Sequence, residues 1–176
     1  MWLGNFIVAT HRKQSPAYSD DPIAYFLTWT VYGTHLPGDP TGWRKRGQGA
    51  QLPQPRLAEW HRDRLQHDVI LLNVAHREIV ANEVRRLCDY RGWRLWEVNA
   101  RTTHVHAVVT ATGYSGDIVR DQLKANCTRV LRESSLAFAD RPVWTRGGDW
   151  ECINHLDDLD TVCQYVREAQ DRMEHR

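Results

Sequence analysis

The stretch Thr103-His104-Val105-His106-Ala107-Val108-Val109-Thr110 decides how the rest of the chain is read. Its β-branched residues, with no Gly or Pro among them, mark a strand. Strand side chains alternate between faces, so His104 and His106 point one way and Val105 the other. Two imidazoles on one face of a rigid strand are either a pair of metal ligands or polar residues on the solvated side of a sheet.

Working outward, Trp93–Val98 alternates like a strand and reaches the histidine segment through a short connection, Asn99–Thr102. Before it, Val74–Arg91 reads as a helix with Asn73 as N-cap, Ile79, Val80, Val84, Leu87 and Cys88 at helical spacing, and Gly92 as the stop. After it, the turn Thr112–Asp117 leads to a helix over Ile118–Glu133. Ile118, Leu123, Val130 and Leu131 are expected toward the core there, and Arg120, Lys124, Asn126 and Arg129 on the polar side. Pro142–Arg146 and Trp150–Ile153 flank Gly147-Gly148-Asp149, a hairpin signal. A last helix runs from about Leu156 and buries Leu159, Val162, Cys163 and Val166. Upstream, Ile23–Gly33 is a strand, Thr34 to about Pro55 a long loop, and Arg56–His67 a helix with a partial apolar face of Leu57, Trp60 and Leu65. The order is roughly β, α, ββ, α, ββ, α. That makes the class α+β, with a ferredoxin-like or palm-like, mostly antiparallel sheet and helices packed on it.

A chain of 176 residues is one domain by size. Residues 1–22, without periodicity and ending in Ser19-Asp20-Asp21-Pro22, are expected to be an N-terminal arm, and residues 23–176 the domain. The formal net charge of +1 excludes a globally basic surface, so a nucleic acid would have to be held by a local patch. Such a patch is offered by Arg44-Lys45-Arg46 beside Trp43, cations next to an aromatic. Cys88, Cys127, Cys152 and Cys163 form no C-x-x-C and read as reduced, mostly buried residues. No apolar run is long enough for a membrane span, and a cytoplasmic location is expected.

The last helix brings Tyr165, Glu168 and Gln170 within two turns of one another. Tyrosine is a competent oxygen nucleophile when nearby groups help its deprotonation. Two neutral imidazoles, one oxygen donor and a tyrosine suit phosphodiester cleavage.

These residues carry a resemblance. His104-Val105-His106 is similar to the HUH motif (U being hydrophobic) of the HUH endonucleases. Phe26-Leu27-Thr28-Trp29-Thr30-Val31-Tyr32-Gly33-Thr34-His35-Leu36-Pro37-Gly38-Asp39 resembles the opening strand and loop of single-tyrosine transposase-like proteins, including the REP-associated tyrosine transposases. Asn99 to Val109 resembles their HUH strand, and Leu123-Lys124-Ala125 with Arg129-Val130-Leu131 the helix that follows. Val143-Trp144-Thr145-Arg146-Gly147-Gly148 resembles their next hairpin, and Tyr165-Val166 with Gln170 their tyrosine helix. The resemblance spans roughly residues 23–172 in order.

The family resemblance implies single-stranded or hairpin DNA as partner and a magnesium or manganese ion as cofactor. It implies His104 and His106 as metal ligands, and Tyr165 as the nucleophile that leaves a 5′-phosphotyrosine and a free 3′-hydroxyl. Many relatives place a glutamine ligand four residues after the tyrosine. Here Ala169 stands at that position and Gln170 follows one residue late. In a regular α-helix Gln170 lies about 140° around from Tyr165, and Glu168 about 60°. Either the helix carries a one-residue bulge that brings Gln170 round, or Glu168 supplies the third ligand. For DNA contact the expected residues are Arg44, Lys45, Arg46, Arg120, Lys124 and Arg146. His35, His61, His67 and His76 read as ordinary surface residues, while Asn99 and Thr103 could orient a ligand. Relatives include monomers and homodimers, and both stay open. Three activities fit these residues: a DNA strand transferase, a non-catalytic DNA binder of the same fold, and a metal hydrolase that activates water.

Overall fold

A computed structural model describes residues 21–40, 42–45 and 48–169. Residues 1–20 of the expected arm, Arg46 and Gln170 therefore lie outside the described residues, as do the side chains of Arg44 and Lys45.

Strand β1 (Ala24–Thr30) is followed by a short ribbon, β2 (Trp43–Lys45) with β3 (Gly49–Gln51), and by helix α1 (Pro55–Arg62). Then come α2 (Val74–Arg91), β4 (Arg94–Ala100), β5 (His104–Thr110), α3 (Gly116–Ser134), β6 (Asp149–Ile153) and α4 (Leu156–Gln164). The four long strands form one antiparallel sheet in the order β4-β5-β1-β6. With α2 and α3 as the two crossovers, this is the ferredoxin-like arrangement expected of the β-α-β-β-α-β order. None of the described helices is long and apolar enough to cross a membrane.

The sheet separates its residues by parity. Tyr25, Leu27 and Trp29 of β1 and Val105, Ala107 and Val109 of β5 belong to the large core with Val80, Val84, Leu123, Cys127 and Leu131 of α2 and α3. Ala24 and Val108 face the opposite side and join Ile153, Leu159 and Val166 in a second cluster under α4. Helix α2 starts and stops as its sequence dictates. The Asn73 side chain accepts from the His76 N–H, and Gly92 takes the left-handed C-cap at φ 68°.

Several expectations need correction. The long loop after β1 is not structureless: Trp43–Lys45 and Gly49–Gln51 pair as a ribbon, and the Trp43 indole donates to the Leu52 carbonyl. Asn99 belongs to β4 rather than to a connection, because its backbone continues the ladder opposite His106. In α3 the buried face is turned: Val119, Arg120, Leu123, Cys127 and Leu131 face inward, whereas Ile118 is exposed. Trp60 of α1 is likewise exposed. All four cysteines are free, but only Cys88 and Cys127 are buried.

The largest change is at the expected hairpin. Residues 142–146 and β6 do not pair with each other; both lie along the same edge of β1. Asp149 faces Thr28, and Trp144 faces Val31. Between these two pairs, two residues on the β1 side are thus matched by four of the partner segment, an insertion of two. Gly147 and Gly148 absorb it at φ 77° and 135°. A Cβ on Gly148 would sit 2.7 Å from the Thr28 carbonyl oxygen and 2.8 Å from Cδ of Arg120. Two consecutive glycines therefore mark a bulge in an edge strand, a second meaning of the residues that make hairpin turns.

Candidate active site

Strand alternation puts His104 and His106 on the α4 side of the sheet. Their ring centroids are 4.7 Å apart. The ladder sets Thr28 of β1 and Asn99 of β4 on either side of His106. Thr28 Oγ1 is 2.8 Å from His106 Nδ1, and Thr103 Oγ1 is 2.9 Å from His104 Nδ1. Phe26, two positions along β1, stacks on the His106 ring at 5.2 Å and 27°. His106 is only 7% exposed. Burial, and after it the neighbouring His104 and Arg101, pull its pKa down to about 3. The ring is therefore neutral near pH 7, the form that can ligate a metal.

Tyr165 arrives from the end of α4. Its ring lies 6.0 Å from that of His106 and edge-on to Phe26 at 6.2 Å. It remains 46% exposed. The backbone here is not α-helical. Tyr165–Ala169 forms a π-helical turn, the one-residue bulge that the late glutamine raised as a possibility. Three contacts hold this turn on the sheet. Val166 is fully buried in the second cluster, the Asn99 amide donates to the Val166 carbonyl at 2.8 Å, and Arg167 pairs with Glu97 of β4 at 2.9 Å. Asn99 thus fixes the tyrosine turn rather than a metal ligand.

Glu168 is exposed and accepts from the Gln164 amide at 3.2 Å. Among the described residues, no three of His, Cys, Asp and Glu are grouped to hold a metal, so Glu168 is not brought to the histidine pair.

The expected DNA-contact residues divide. Arg120 is 6% exposed, with its guanidinium on Asp117 and Asp121 at 2.8 and 2.9 Å and on the Gly148 carbonyl. Lys124 donates to the carbonyls of Thr145 and Gly147. Its burial, and next the charge of Arg120, lower its pKa to about 8. Both cations bolt α3 to the glycine bulge. Arg120 in particular is a structural clamp rather than an outward DNA contact. Arg146, beside the bulge, is exposed.

Sequence reasoning missed Thr28, Phe26 and His35. Thr34 Oγ1 donates to the carbonyls of Val31 and Thr103, which sets the following His35 ring 6.2 Å from that of His104. Pairing between Thr28 and the histidine strand is a tertiary fact, and no local pattern announces it. His61, His67 and His76, expected at the surface, are half-buried and pack against Trp60, Tyr32 and Phe138 respectively.

No protein-family model matches the chain, and neither does any curated protein. Among solved structures the fold is similar to that of a REP-associated tyrosine transposase bound to a REP hairpin. Identity is 10% and the TM-score 0.49, over 91% of this chain and 73% of that one. It is also similar to a candidate transposase from Deinococcus radiodurans R1, at 13% identity and a TM-score of 0.45, over 88% of this chain and 95% of that one. At these identities the likeness extends to the fold and no further.

Proposed function

We propose that the chain is a transposase-type, metal-dependent DNA endonuclease and strand transferase that acts on single-stranded or hairpin DNA through Tyr165. The observation that carries this reading is the convergence, on one sheet face, of two histidines 4.7 Å apart and a half-exposed tyrosine 6.0 Å from one of them. The donor set fits a divalent cation: both imidazoles have Nδ1 against a threonine hydroxyl, which leaves Nε2 as the ligating atom on each. His104 and His106 would hold magnesium or manganese together with a third donor from the tyrosine turn, for which the i to i+5 spacing favours Gln170. Such an ion supplies polarisation of a phosphate and charge stabilisation at a leaving oxygen.

The chain's own residues do the rest. Tyr165 Oη, deprotonated, bonds to the scissile phosphorus as the bond to the 3′-oxygen breaks. The products are a 5′-phosphotyrosine and a 3′-hydroxyl once that oxygen takes up a proton. The phosphodiester energy is retained, so a second 3′-hydroxyl can reverse the step and join strands without a high-energy cofactor. Phe26 beside the tyrosine and histidine rings, together with the exposed Arg146, supplies apolar and cationic surface along the strand's path.

Incubation of a labelled DNA hairpin with protein and manganese tests this directly. A covalent adduct that disappears in Tyr165→Phe is the expected result. Binding with no adduct would identify a non-catalytic DNA binder, and cleavage that survives Tyr165→Phe a water-activating hydrolase. Neither binding nor cleavage across varied single-stranded substrates would sink the DNA reading.

A further inference from the structure

The two histidines share a feature that neither the strand nor the tyrosine requires. Each has a threonine hydroxyl within hydrogen-bond distance of the same ring nitrogen, Nδ1, and the two hydroxyls come from different parts of the chain. Thr28 lies across the ladder on β1, directly opposite His106. Thr103 precedes His104 at the start of β5. The distances are 2.8 and 2.9 Å, ordinary for a full hydrogen bond.

A neutral imidazole carries one proton, on either Nδ1 or Nε2, and only the bare nitrogen can ligate. A hydroxyl can meet Nδ1 as donor or as acceptor. As donor it would fix the proton on Nε2 and close that nitrogen to a cation. As acceptor it takes the Nδ1 proton and leaves the Nε2 lone pair outward. We propose that Thr28 and Thr103 are positioning residues that accept from Nδ1–H of His106 and His104, locking both rings in the tautomer that presents Nε2 to a shared cation. The inference rests on the metal reading given above. It adds to that reading two residues, one on each side of the pair, that act through the ligands rather than on the substrate.

The geometry makes Thr28 the more exacting of the two. His106 is nearly buried, and Phe26 stacks on its ring, so the ring plane is fixed by packing and its tautomer by the hydroxyl. Thr28→Val keeps shape and β-branching while removing the hydroxyl; Thr28→Ser keeps the hydroxyl and drops a methyl.

Full-length protein with 15N-labelled histidine, free of metal, reports by NMR which ring nitrogen carries the proton. Manganese titration of the same samples gives the affinity. Wild type is expected to show Nδ1–H at both histidines. Thr28→Val should lose that preference at His106 alone and bind manganese roughly 10- to 100-fold more weakly, with Thr28→Ser close to wild type. Unchanged His104 signals in Thr28→Val show that the fold is intact. Nε2–H rings in the wild type, or a Thr28→Val protein with the wild-type tautomer and affinity, overturn the proposal. Nδ1–H rings in a wild type that binds no manganese support the threonine pairing and remove the metal reading instead.

Discussion

The two faces of the sheet are built on opposite terms. Under α2 and α3 the face is dry, with Leu27, Trp29, Val105, Ala107 and Val109 all fully buried against helices of 18 and 19 residues. The other face has a small apolar cluster at one end and Thr28, His104, His106 and Asn99 at the other. Among the described residues, its cover is the nine-residue α4 and its π-helical turn. The same strands supply both faces, residue by alternate residue. The dry core lies under the two long helices, and the histidines and the tyrosine lie where the described cover is thinner.

Substitutions on the two faces should therefore fail differently. Leu123→Ala, in the dry core, is expected to cost ~3 kcal/mol. It should lower the urea midpoint while leaving the activity of the folded fraction unchanged. A cost under ~1 kcal/mol would show that α3 is not a principal support.

Gly148→Ala probes the join between the faces, where α3 is bolted to the edge strand. With φ at 135° and the Thr28 carbonyl 2.7 Å from the new Cβ, a loss of about 2 kcal/mol is expected. A thermal melt equal to that of the wild type would mean that the bulge relaxes freely.

Glu83→Gln tests the ion network that joins α2 to α3. The Arg86 hydrogen bond above all, with the charges of Arg86 and Arg129, holds the Glu83 carboxyl below its ordinary pKa of 4.5. The contribution is thus present above pH 4.5 and fades as pH falls through the lower folded-state value. Because both arginines are half-exposed, about 1 kcal/mol is expected at pH 7. Unfolding midpoints of variant and wild type should converge on acidification. A gap that widens in acid would reverse the assignment.

Asn99→Ala should give the smallest stability change, within ~1 kcal/mol, yet slow adduct formation about tenfold because the Val166 carbonyl is no longer held. Equal rates would show that Val166 burial and the Arg167–Glu97 pair suffice to place Tyr165.

Legibility in the sequence follows the same division. The α+β class, the helix bounds set by Asn73 and Gly92, and the histidine strand depend on periodicity and caps, which are local. Contacts between distant segments were hidden. Arg120 reads as a polar-face cation until its partners on the glycine bulge are known, and Thr28 reads as filler until the ladder sets it opposite His106. Gly147-Gly148 reads as a turn because glycine reports backbone freedom and not the use made of it. At the tyrosine, the one-residue offset of Gln170 was visible, and the π-turn is its backbone counterpart.

The glycine bulge also bears on how copies of this chain meet one another. A long, flat, unpaired strand edge invites another polypeptide to add on and keep adding. Along β6 that invitation is cut short: the strand runs for five residues, carries Asp149 and Glu151, and is set off from the preceding segment of the same edge by the two inserted glycines. The bulge that takes up spare chain inside the molecule also guards this border of the sheet against runaway self-association.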